Sequence, residues 1–161
     1  MRKSEKVTKK TSNKKSKGFF KRLEDIHTLI DAPRFNQELV SEFLGRIKPD
    51  YLSPYYKVYN LYLNAKFHFN CYKQEDAIEH LELASGLLDS MDALAYQKKV
   101  WINNPDHHFT RAYIKFLLAT LYWDKDSSPY YLEKAIRITD CSLNHHPKHK
   151  GFIWLKNQFA A

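Results

Sequence analysis

An all-α protein is what this sequence predicts, and three observations carry that prediction. Apolar residues recur at helical spacing from residue 19 onward. The whole chain holds only 4 Gly and 6 Pro. No stretch alternates apolar and polar residues with the period of two that a half-buried strand requires. The apolar side chains are large, with 11 Tyr and 10 Phe among 161 residues, which suits helices filling a core with long side chains better than a turn-rich sheet.

The elements follow in order. Phe19, Phe20, Leu23, Ile26 and Ile30 lie near one face of a short helix over 19–31, which Pro33 ends. Asn36 is a good N-cap for the next helix, with Phe35 placed to staple against Val40, Gly45 weakening its end and Pro49 stopping it. Ser53-Pro54 opens a long helix over 54–71, apolar on more than one face and so expected between neighbours. A helix over 74–91 carries the stripe Ala77, Ile78, Leu81, Ala84, Leu88 and Met91, and 92–102 reads as a further short helix before the Asn103-Asn104-Pro105 turn. Strong helices follow over 107–124, from Ser128-Pro129 to His145-His146-Pro147, and over 149–159. Cys71 and Cys141 fall inside these helices outside any C-x-x-C pattern, and are expected as buried, reduced thiols.

The formal charge of +8 is unevenly spread. Residues 1–22 hold ten Lys/Arg and one acid, Glu5, so the tail carries +9 and residues 23–161 carry −1. Residues 1–18 have almost nothing to bury and are expected as a disordered basic tail, leaving 19–161 as one helical domain. Lys9, Lys10, Lys14, Lys15 and Lys17 are its candidates for contact with phosphates or an anionic membrane surface, with Phe19-Phe20 able to insert at an interface. No run of 18 apolar residues and no N-terminal apolar signal is present, so a cytoplasmic location is expected.

Two segments resemble the tetratricopeptide-repeat (TPR) family of helical hairpins. In 58–91, Leu61 and Ala65 stand on the leading helix and Ala77, Leu81 and Ala84 on the trailing one, and the Ala65-to-Ala77 spacing equals that between the family's two small positions. In 112–149, Leu118, Ala119 and Tyr122 are followed by Ala135, Thr139, Ser142 and Pro147. The pattern departs from the family at Asn64, His68 and Asp89, and about 20 residues (92–111) separate the hairpins. The resemblance implies antiparallel hairpins stacked as a short right-handed superhelix, whose leading helices line a concave groove.

The positions matching the family's ligand-facing ones are Tyr59, Tyr62, Lys66, Phe69 and Asn70, with Tyr113, Phe116, Thr120, Trp123 and Asp124. The resemblance therefore implies a non-catalytic adaptor that grips a peptide or helix of a partner protein in an aromatic groove, unless the chain's own helix 19–31 fills it. Short arrays leave apolar end faces, so a homo-oligomer is a further expectation, with 150–161 as a capping helix. The alternative is a nucleic-acid-associated protein using its tail, for which Lys98, Lys99, Arg111 and Lys115 are the body's one basic cluster.

Catalysis and cofactors are not expected. The sequence holds no G-x-S-x-G, no clustered glycines for a phosphate loop and no H-E-x-x-H. His107, His108, His145, His146 and His149 lack an acidic or thiol partner at ligand spacing and read as solvated loop residues, and the Asp and Glu residues read as a solvated helix face.

Overall fold

The computed structural model describes residues 18, 20–48 and 52–160. The basic tail with Lys9, Lys10, Lys14, Lys15 and Lys17 lies outside the described residues, as do Phe19 and Pro49. Among the described residues there are seven helices and no strand: α1 (20–30), α2 (Gln37–Gly45), α3 (Pro54–Asn70), α4 (Gln74–Gln97), α5 (Pro105–Leu121), α6 (Ser127–His145) and α7 (Lys150–Ala160). None is long and apolar enough to cross a membrane.

Local chemistry sets most of the boundaries. Asn36 Oδ1 accepts from the Leu39 N–H at 3.1 Å, the expected cap of α2. Ser53 holds an extended N-cap conformation ahead of Pro54, but its side chain makes no capping bond. Asn104 caps α5 through Asp106 N–H at 3.0 Å, with Pro105 in the first turn. One boundary corrects the sequence reading: no break occurs near residue 92. Ala93, Leu94 and Ala95 are strong helix formers, and α4 runs on to Gln97. The start of α6 also moves, to Ser127, and Ser128 is spent on the Ala119 carbonyl at 2.6 Å instead of on a cap.

Two helices end on non-glycine residues in the left-handed region. Tyr72 has φ 61°, and the Lys73 N–H reaches back to His68 O at 2.8 Å. Lys99 has φ 55°, and Val100 N–H reaches Ala95 O at 2.9 Å. Both are Schellman closures, a geometry glycine normally supplies.

The short loop 71–73 folds α4 back on α3, and 122–126 folds α6 back on α5. The two hairpins pack side by side through α4 and α5, α7 lies against α6 and α5, and α2 lies against α3. Gln74 Nε2 donates to the Leu121 carbonyl and ties the two loop ends together. Gly151 lets α7 approach, because a Cβ there would meet the Phe109 ring at 3.0 Å.

Two cores result. Leu23, Ile26 and Ile30 of α1 bury against Val40 and Leu44 of α2 and Leu63 of α3. Val58, Ala65, Ala77, Leu81, Ala84, Leu88, Ile114 and Leu118 form the second, across α3, α4 and α5. The alanines at 65, 77, 84, 119 and 135 are all buried. Small side chains there let paired helices approach, and the larger Leu81 and Leu88 fill the grooves between them. The thiol expectation fails for Cys141, which is exposed on α6, while Cys71 is half-buried at the end of α3; both are free.

Two stability measurements check this account. Tyr72 is 97% exposed, so Tyr72→Gly removes no packing and relieves the left-handed strain; thermal melts should show a gain of about 1 kcal/mol. Ala84, fully buried, leaves no room, and Ala84→Leu should cost about 1–3 kcal/mol in urea unfolding.

Candidate functional site

The α3 residues Tyr62, Lys66, Phe69 and Asn70 recur at helical spacing and share a face with one another; Tyr113, Leu117, Thr120 and Leu121 do the same on α5. Together they wall an open-sided cavity of about 230 Å³, floored by Ala65, Ala77 and Leu81. Six of the ten expected groove residues therefore meet: Tyr62, Lys66, Phe69, Asn70, Tyr113 and Thr120. A second cavity of about 310 Å³ continues along the same two helices past Tyr55, Val58, Thr110 and Ile114, and Tyr59 lies here. Tyr62 and Tyr113 border both cavities, their rings edge to face at 6.1 Å. Burial, then the hydrogen bond to Tyr113, pushes the Tyr62 hydroxyl far above its usual pKa, so it stays a neutral donor.

Three expected residues are placed elsewhere. Phe116 turns to α7 and packs on Phe159 at 5.7 Å. Trp123 is 89% exposed in the α5–α6 loop, outside both cavities. Asp124 lies in the α5–α6 loop and accepts from the Ser127 N–H at 2.9 Å, while Asp126 holds the N-cap position of α6.

The chain's own α1 occupies the α3 side of the trough. His27 Nδ1 lies 2.9 Å from Tyr59 Oη, Lys66 Nζ lies 3.0 Å from His27 Nε2 and 2.5 Å from Asp31 Oδ1, and Asn70 Nδ2 donates to Ile30 O at 3.1 Å. Burial, then the Lys66 charge, lowers the His27 pKa, against a smaller opposing pull from Asp31. Neutral His27 accepts from Lys66 and donates to Tyr59. Phe20 stacks near Tyr56 and Tyr59, at 6.2 and 6.1 Å. Among the described residues the α5 side stays open.

Behind the floor runs a network the sequence reading missed. Ser85, Asp89 and Asp92 stand on α4 at helical spacing, and His107, Arg111 and Lys115 answer them from α5. Lys115 Nζ donates to Asp89 Oδ2 and to Ser85 Oγ, both at 2.8 Å. Arg111 reaches Asp89 Oδ1 at 3.1 Å and Asp92 Oδ2 at 2.7 Å. His107 bridges Asp92 at 3.1 Å and Tyr55 Oη at 3.2 Å. Burial alone would push the Asp89 carboxyl up, but Lys115 and Arg111 outweigh it and its pKa ends below the ordinary value. Burial pulls the Lys115 ammonium down, and Asp89 restores only part. The carboxylate gains from the pair while the ammonium bears the cost of burial.

This network corrects three expectations. Arg111 and Lys115 are not a basic surface: Lys115 is 2% exposed and both are paired with acids. His107 and His108 are buried, not solvated, at 1% and 3% exposure. Asp89 and Asp92 face α5 instead of forming part of a solvated face.

Asp92, His107 and His108 also bring ligand atoms within 4.8 Å of one another, which spacing along the chain did not reveal. A divalent cation there would have to displace Arg111 from Asp92, and His108 Nε2 is already bonded to Ile102 O at 2.7 Å. The Tyr55–His107–Asp92 chain has the geometry of a nucleophile relay. However, burial, then Asp92, raises the Tyr55 pKa, the opposite of what an activated phenol needs.

No family model matches the chain, and neither a curated protein nor a solved structure matches it.

Asp89→Asn leaves the Lys115 ammonium buried without its counter-charge. The expected cost is about 3 kcal/mol, the low end of the range because Asp89 is itself partly solvated. Adding Lys115→Met should recover most of it in urea unfolding. The pH dependence has a fixed sign. His27, His68 and His108 have pKa values lowered chiefly by burial, so the unfolded chain takes up their protons first. Their contribution is full above about pH 6.5 and is lost as pH falls toward the folded values. Asp89, also lowered, adds a second loss below about pH 4. Melting temperature should therefore fall between about pH 7.5 and pH 5, and a flat profile there contradicts the assignment.

Proposed function

We propose that this chain is a non-catalytic, cytoplasmic adaptor of TPR-like helical hairpins that holds a segment of a partner protein in the trough between α3 and α5. One observation supports the reading above all: six residues picked for a groove border a single open cavity, floored by alanine and leucine and walled in part by Tyr62, Phe69 and Tyr113. Rigid rings with polar tips give large contact area at little entropic cost, which suits a peptide or an amphipathic helix. The trough is mostly apolar, and Lys66 is already paired with Asp31, so the partner contributes apolar anchors at helical or extended spacing more than a carboxylate. The nucleic-acid alternative loses its surface on the body once Arg111 and Lys115 are committed to Asp89 and Asp92, and rests on the tail alone.

The test is affinity capture with the full chain, with Thr120→Arg, with Phe69→Asp, and with residues 1–17 removed. Thr120 and Phe69 are exposed at the rim, so both substitutions should leave the melt unchanged while blocking the trough. A partner protein lost with either rim variant and kept without the tail supports the adaptor. A partner or nucleic acid that ignores both rim variants and disappears with the tail replaces it.

A further inference from the structure

The side of α4 turned away from the groove floor carries an apolar stripe that no described helix covers. Leu83 is 55% exposed, Leu87 36% and Leu94 57%, and all three fall within a narrow arc of the helix. Met91 lies beside them half-buried, and a Cβ at Gly86 would meet nothing within 4 Å. Helix α4 has 24 residues, about 36 Å of straight surface.

The charges at its two ends say what fits there. Glu75 and Asp76 stand exposed in the first turn of α4, while Lys98 and Lys99 stand exposed just past its last. A second helix laid parallel on this stripe would set acid on acid and lysine on lysine. Laid antiparallel about a two-fold axis near Leu87, the same helix sets Asp76 opposite Lys98, Leu83 opposite Met91, Leu94 opposite His80, and Leu87 on itself. The surface is thus self-complementary in one orientation only, as an isologous contact requires.

We infer that the α4 stripe is the interface of a two-fold dimer of this chain, with the two α4 helices antiparallel and crossing at Leu87. The dimer leaves the α3–α5 trough open on each copy, because the stripe points away from the trough floor.

Sedimentation of the full chain across a concentration series should show the 19.2 kDa monomer converting to a dimer. Leu83→Glu and Leu94→Glu, both at exposed positions, should each raise the dimer dissociation constant by at least about tenfold without changing helix content. Lys98→Glu should weaken the dimer, and adding Asp76→Lys should restore it. In a Cys71→Ser, Cys141→Ser background, Leu87→Cys should close a disulfide across the axis under mild oxidation. A chain that stays monomeric throughout, a dimer indifferent to Leu83→Glu and Leu94→Glu, or a charge swap that fails to restore association overturns the inference. So does a stripe variant that loses a different protein while the chain itself remains a monomer.

Discussion

The fold depends on one helix being buried from two sides. Leu63 of α3 enters the core shared with α1 and α2, while Val58 and Ala65 enter the core shared with α4 and α5. Each fully buried aliphatic side chain of that size is worth about 1.5–3 kcal/mol, so α3 couples two cores that would otherwise be independent. The trough exists because of this arrangement: α3 is fixed on both flanks, and its remaining face, from Tyr55 to Asn70, is what α5 meets across the gap.

The distance between the hairpins is set by side-chain size and by the polar network together. Ala65, Ala77 and Ala84 bring α3 and α4 close, and the α4–α5 contact then holds Leu81, Leu88, Ile114 and Leu118 beside Ser85, Asp89, Arg111 and Lys115. A buried ion pair adds little net stability over an apolar pair of the same volume. It does penalise a slipped register, because a shift of one turn toward Ser85 would strand Lys115 in the core without a carboxylate, and a shift the other way would hand it Asp92 and leave Arg111 without either acid. The network therefore specifies how α5 docks on α4 more than it strengthens the docking, and the floor of the trough inherits that register.

Much of this was legible in the chain. Helical periodicity located all seven described helices but split α4 near residue 92, and the alanine spacing placed all five small residues inside. Six groove residues came from position on a hairpin, since i, i+4 and i+7 on α3 share a face whatever the neighbours are. The misses have physical causes. Phe116 sits one position from the trough face and is claimed by α7, a packing partner that local sequence does not announce. Trp123 lies beyond the last helical residue of α5, where the periodicity no longer applies. Lys115 and Asp89 read as surface because charged residues usually are, although Lys115 stands among Ala112, Leu118 and Ala119 on a face that is otherwise all core. Opposite charges at helical spacing on two successive helices were the available signal.

Whether α1 is a removable plug or a permanent wall is decided by magnitudes. Its polar ties to the trough, through His27, Asp31 and the Ile30 carbonyl, involve partly solvated groups, and a hydrogen bond of that kind nets about 1 kcal/mol or less. A partner could replace them. Leu23, Ile26 and Ile30, however, are at most 4% exposed, and pulling them out of the α2–α3 core forfeits about 1.5–3 kcal/mol apiece. That exceeds what a few new contacts to Tyr59 and Lys66 could return. Helix α1 is accordingly a wall. The capacity of the site is then set by the gap between Tyr62 and Thr120, where the floor is alanine and leucine and the α5 side is open.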